Sequence, residues 1–141
     1  MKRNAGARAW IDTSAFLALA APRDQYHARA VALAAAHRRA GGRWVTSVMV
    51  LDEVHRAILY RRDAATARMT IARLLNDPAI EWLDVTAATV ASAVSAWIER
   101  FHDQDFSLTD AVSFELMVRE RLSEAFAFDR HFTVAGFQLL R

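Results

Sequence analysis

The sequence predicts an α/β fold: a mainly parallel central sheet of four to five strands flanked by helices on both faces. Two observations carry this expectation. Short apolar runs alternate with longer stretches of helical spacing along the chain. Strands alternating with helices point to a mainly parallel sheet covered on both faces. Apolar residues make up 54% of 141 positions and charged residues 24%, which suits a packed core and not a disordered chain.

Residues 1–141 read as one domain, able to bury about two-thirds of its unfolded surface, with 1–7 as a loose leader. The run ARAWID, Ala7 to Asp12, is apolar, ends in an acid and reads as a buried strand. Thr13 and Ser14 are helix-capping types before AFLALA, and Pro22 stops that helix. QYHARAVALAAAHRRA is a second helix, ended by Gly41-Gly42. RWVTS is the next strand, and Thr46 or Ser47 caps VMVLDEVHRAILYRR. Asp63 opens a helix through Leu75 that Asn76-Asp77-Pro78 terminates, and IEWLDV is a third strand. Thr86 caps AATVASAVSAWIERF, where Val90, Val94, Trp97, Ile98 and Phe101 keep helical spacing. After the polar loop HDQD, Ser107 to Asp110 reads S-x-x-D, a variant capping box, and opens a helix apolar nearly all round. EAFAFD is the fourth strand, with FQLL as a fifth.

Many chemistries are excluded. There is no cysteine, so disulfides, thiolate nucleophiles and sulfur-ligated zinc are absent. No apolar stretch approaches the ~18 residues of a membrane span, and the N-terminus lacks a signal-peptide run, so the expectation is a cytoplasmic protein with no membrane contact. The four glycines form neither a Walker loop nor a G-x-G-x-x-G turn. Lys2 is the only lysine, which removes the late lysine of a phosphoaspartate receiver, and Asp12-Thr13-Ser14 is not the D-x-D of a haloacid-dehalogenase-like phosphatase. Ser14 lies in no G-x-S-x-G elbow. Histidines 27, 37, 55, 102 and 131 show no paired ligand spacing and read as surface or structural groups. The net charge is +2, and all other basic residues are arginines, which suit bidentate phosphate contacts. Arg38, Arg39 and Arg43, then Arg56, Arg61 and Arg62, are the candidate phosphate-facing clusters.

The acids are the informative group. In open α/β sheets the binding crevice lies beyond the carboxyl ends of the strands. Asp12 and Asp129 each end an expected strand, Asp110 opens the helix feeding the second of these, and Asp52-Glu53 follow RWVTS in the next helix. Carboxylates sharing a crevice repel and raise each other's pKa values unless a cation sits among them. All-oxygen ligation suits Mg²⁺ or Mn²⁺.

Taken in order, IDTS, LDEV, DQDFSLTDAVSF and FAFDRHF followed by AGF resemble the PIN-domain ribonucleases, specifically the VapC-type toxins of toxin–antitoxin pairs. The resemblance runs from about Trp10 to Leu140. It implies a PIN-like fold with the family's four acids on Asp12, Glu53, Asp110 and Asp129, holding one or two Mg²⁺ or Mn²⁺ ions. Glu53 rather than Asp52 is chosen by the resemblance, because helical periodicity favours neither. Thr13, Ser107 and Asp103 become candidates for orienting those acids. The implied activity is cation-dependent endonucleolytic cleavage of a cellular RNA (tRNA, rRNA or mRNA) by a toxin. A cognate antitoxin would cover the groove formed by AFLALA and VMVLDEVHRAILY, and a homodimer is a further expected assembly. The alternative is a non-catalytic module of the same fold that binds RNA or a partner.

Overall fold

The computed structural model describes residues 6–141. Five strands form one sheet in the order β3-β2-β1-β4-β5. They are β1 (Arg8–Ile11), β2 (Arg43–Ser47), β3 (Ile80–Leu83), β4 (Glu124–Phe126) and β5 (Gln138–Leu139). All pairings among the described residues are parallel: Arg8 stands opposite Arg43, Trp44 opposite Ile80, Trp10 opposite Ala125, and Glu124 opposite Gln138. Of the leader expected over 1–7, residues 1–5 lie outside the described residues. The Ala7 carbonyl already accepts from the Arg43 N–H at 3.0 Å, so sheet hydrogen bonding begins there.

The helices are α1 (Thr13–Ala20), α2 (His27–Arg39), α3 (Val48–Arg61), α4 (Ala64–Leu75), α5 (Ala87–Ala93), α6 (Leu108–Arg119) and α7 (His131–Val134). The groups α1–α4 and α5–α7 each pack within themselves. The chain steps from β1 to β2 to β3 in one direction across the sheet and returns to β4 in the other. Right-handed crossovers therefore put the two helical groups on opposite faces. Central β1 is covered on both sides, so Trp10 and Ile11 are buried together instead of alternating. They meet Val45, Phe126, Phe114, Met117 and Phe132 in the core, and full burial of such side chains contributes about 1.5–3 kcal/mol each.

Two helix ends show how sequence sets the boundaries. Gly41 takes φ 73°, and the Gly42 N–H returns to the His37 carbonyl, closing α2. α6 ends the same way without a glycine: Arg121 sits at φ 56° and the Leu122 N–H returns to the Met117 carbonyl. The helix expected from Ala87 to Phe101 is not uniform. After α5 it widens into a π-helical turn, Val94–Glu99. That turn carries Trp97 to a stacked contact with Phe101 at 5.7 Å and an edge contact with Phe114 at 5.2 Å. The short helix α7, a segment for which the sequence predicts no element, forms where Phe132 is fully buried.

Candidate active site

Asp12 follows directly on β1 and caps α1. Its backbone N–H donates to the Phe126 carbonyl at the end of β4. Its Oδ2 accepts from the Ser14 hydroxyl at 2.9 Å and the Ser14 N–H at 3.3 Å. The Ser14 Oγ in turn accepts from the Phe128 N–H at 3.0 Å, so one hydroxyl ties the ends of β1 and β4 together. The orienting partner of Asp12 is thus Ser14 and not Thr13, whose buried hydroxyl reaches no partner among the described residues. Burial pushes the Asp12 carboxyl up to about 7, the Ser14 bonds oppose this, and the charges of Asp110 and Glu53 add to it.

Asp110 is held by the expected capping box. The Ser107 N–H donates to its Oδ2 at 3.1 Å, and the Asp110 N–H donates to Ser107 Oγ at 3.0 Å. The same Oδ2 lies 2.9 Å from His131 Nδ1. Burial raises the Asp110 pKa against the Ser107 and His131 hydrogen bonds, and the charge of Asp129 raises it further. Asp129 follows β4, and its Oδ1 accepts the His131 N–H at 2.9 Å. Asp110, Asp129 and His131 each offer a ligand atom within 4.8 Å of the others.

Glu53 lies on α3, half-buried, close enough that its charge acts on Asp12. Its neighbour Asp52 turns to solvent and pairs with Arg56 at 3.1 Å. One helical step of about 100° separates the two and gives them different surroundings. The fold therefore brings Asp12, Glu53, Asp110 and Asp129 to the carboxyl edge of a parallel sheet from four separate elements.

The sequence reading missed His131. Its side chain is 14% exposed, and its Nε2 lies 3.0 Å from Asp105 Oδ1. Burial disfavours the imidazolium, but the bonds to Asp110 and Asp105 and the charge of Asp129 outweigh it, and the pKa is raised. Spacing searches for paired ligands overlook this residue because its partners are acids, not histidines. The available signal was Asp129-Arg130-His131, which sets an imidazole two residues past a strand-end acid. Asp105, an exposed loop acid, reaches the cluster through His131, whereas Asp103 stays exposed in the preceding turn.

The arginine candidates are elsewhere. Arg38 and Arg39 end α2 and Arg43 begins β2, opposite Arg8 at the start of β1, so this cluster stands at the amino edge, away from the acids. Arg43 donates to the Pro78 carbonyl at 2.9 Å. Arg56 is occupied by Asp52, and Arg61 and Arg62 lie beside Leu17 and Ala20 of α1. The fold does not gather Arg38, Arg39 and Arg43 with the acids.

A family model of the PIN domain matches residues 9–138, a span that takes in every acid described above. The chain belongs to the PIN-domain family. It is 31% identical over 132 residues to the 23S rRNA-specific endonuclease VapC20 of Mycobacterium tuberculosis, covering 94% of this chain and 97% of that protein. The crystal structure of that VapC20, described as a sarcin–ricin loop cleaving toxin, superposes with a TM-score of 0.82 at 30% identity, over 91% of this chain and 95% of the other. VapBC2 from Rickettsia felis, solved bound to a DNA fragment from its promoter, gives 0.65 at 12% identity, over 94% of this chain and 96% of that one. FitAcB from Neisseria gonorrhoeae gives 0.63 at 14% with the same coverage, and these two likenesses establish the fold of this PIN domain alone.

The donor set fits a hard divalent cation. Asp110 and Asp129 offer ligand atoms within 4.8 Å of each other, and Asp12, driven up to about 7 chiefly by burial, also feels the charges of Asp110 and Glu53. A cation relieves that repulsion, and oxygen donors suit Mg²⁺ or Mn²⁺. Among the described residues no helix is long and apolar enough to cross a membrane.

Proposed function

We propose that this PIN domain is a cation-dependent endoribonuclease, the toxin of a toxin–antitoxin pair, and that its substrate is the sarcin–ricin loop of 23S rRNA. The observation that carries the reading is the approach of Glu53 and Asp110 to Asp12 and of Asp129 to Asp110 at one edge of the sheet. The substrate rests on near-full-length likeness to an enzyme of that specificity.

Asp12 and Asp110 are the ligands we assign to Mg²⁺ or Mn²⁺, with Glu53 and Asp129 completing the cage, for one ion or two. When bound, the cation polarises the scissile phosphate and makes an attacking water acidic. Ser14 fixes the Asp12 carboxylate, while Ser107 and His131 fix that of Asp110, as outer partners of a metal site do. Asp129 holds the His131 backbone and so sets where that imidazole stands.

An antitoxin segment over the α1–α3 groove and a second copy of the chain are the protein partners this reading carries. Tyr60, 92% exposed, and Met69, 60% exposed, leave apolar area on α3 and α4 for one of them.

Incubating the purified protein with ribosomes and Mg²⁺, then mapping RNA ends by primer extension, tests the proposal. One new end within the sarcin–ricin loop, absent with Asp110→Asn, is expected. An intact rRNA, or the same cut from Asp110→Asn, contradicts it.

A further inference from the structure

A concavity of about 590 Å³ opens between the start of α2 and the β4–β5 edge of the sheet. Its volume falls in the range of small-molecule sites. Tyr26, Arg29, Phe128, Thr133, Gln138 and Arg141 are among its lining residues. The rings of Tyr26 and Phe128 lie parallel, 4.6 Å apart at 7°, and Tyr26 remains 40% exposed. Among the described residues neither Arg29 nor Arg141 forms an ion pair. Glu124 is the acid of this wall, at the far end of β4.

The wall of the cleft is tied to the acid site through Phe128. Phe128 immediately precedes Asp129, and its N–H donates to the hydroxyl that holds Asp12. A strand with one phosphate at the acids therefore has an adjoining nucleotide at the mouth of this cleft. Single-stranded RNA is held by aromatic faces on which bases stack and by cations that track the backbone. The stacked ring pair supplies the first and Arg29 with Arg141 the second, while the Thr133 hydroxyl and the Gln138 amide can meet base edges.

We propose that this cleft binds a nucleotide next to the scissile phosphate, its base stacked on the open face of Tyr26, whose other face Phe128 covers, and its phosphate on Arg29. The assignment rests on the ribonuclease reading above and adds a place that selects and orients the strand.

The test uses the full chain carrying Asp110→Asn, which binds without cutting. The probes are a synthetic RNA hairpin of the sarcin–ricin sequence and an unrelated oligouridylate, followed by fluorescence anisotropy. Adding Tyr26→Ala should weaken binding of the hairpin about tenfold, the loss of one stacked base. Tyr26→Phe should restore it, because the ring and not the hydroxyl stacks. Arg29→Ala, at an exposed position, should lower the slope of log affinity against log salt by about 0.7, one phosphate contact on a single strand. In the cutting-competent protein, Tyr26→Ala should raise KM more than it lowers kcat. Unchanged affinity and salt slope in these variants, with the parent binding and the wild type cutting, overturn the subsite and leave the ribonuclease reading standing. So does a Tyr26→Ala defect confined to a protein partner. A parent that binds neither probe, with a wild type that cuts no RNA, removes both.

Discussion

Asp110 Oδ2 accepts the Ser107 N–H and faces His131 Nδ1, so one oxygen serves both a helix cap and the site. Asp12, which caps α1 while lying buried at the sheet edge, has the same double role. The energetic consequence is a pH dependence of known sign. Asp12 rises from 3.8 to about 7 on folding, so the folded state binds its proton more tightly. Stability of the cation-free protein then falls as pH climbs from about 4 to about 7. His131, raised above 6.5, contributes stability that is present below that value and lost as pH passes its folded pKa. Both act in one direction. Cation-free protein should melt higher at about pH 5.5 than at about pH 8, and Asp12→Asn should flatten the difference; calorimetric melts across that range check it, and a melting point that climbs with pH speaks against the assignment. His131→Ala should cut activity roughly 10–100-fold, as loss of an outer partner at a metal site does. His131→Asn, which returns an amide donor near the Nδ1 position, should recover part of it in kcat. Equal loss in both variants would mean the ring only packs against Phe106, which it meets edge-on at 5.3 Å.

Among the elements, the strands and the capping box were legible because each rests on local chemistry: an apolar run bounded by polar residues, or Ser107 three before Asp110. The π-helical turn was not. Val90, Val94, Trp97, Ile98 and Phe101 fit an α-helix equally well, and the contacts that favour the wider turn come from Phe114 and Phe137, distant in sequence. α7 was illegible for a similar reason, since four residues carry no period and Phe132 is drawn in by Phe114 at 5.1 Å. The end of α6 offers an element-scale prediction. Arg121 is exposed in the left-handed region, at φ 56°, which costs a side-chain-bearing residue about 1–2 kcal/mol. Arg121→Gly should stabilise the protein by about 1 kcal/mol and raise Tm by roughly 3 °C without altering cleavage. A drop in Tm would show that the arginine side chain makes a stabilising contact outweighing its backbone cost.

At the scale of the whole molecule, a parallel sheet makes strand ends converge, which is why Asp12 and Asp129 could be paired from sequence although 117 positions apart. Glu53 could not be chosen over Asp52 by period; the fold separates them by pairing Asp52 with Arg56 and leaving Glu53 near Asp12. Clustering in sequence says nothing about which sheet edge the arginines occupy, and Arg38, Arg39 and Arg43 fall at the far one from the acids. His131 was hidden because its role depends on Asp105 and Asp110, acids in a different loop and helix. The central claim is that these acids form a cation site that cuts RNA, and a Mg²⁺ titration reads it most directly. Cleavage rate and melting temperature are followed in the same samples at about pH 7.5, for wild type and Asp110→Asn. In wild type both should rise together and saturate over one concentration range, as binding to the folded state requires. In Asp110→Asn the cation-free melting point should match or exceed that of wild type, with at least about a hundredfold less cleavage, beyond the usual cost of losing an outer partner. Cleavage that persists in chelator, or a cation-free Asp110→Asn that melts well below wild type, would contradict the account and make Asp110 a structural cap alone.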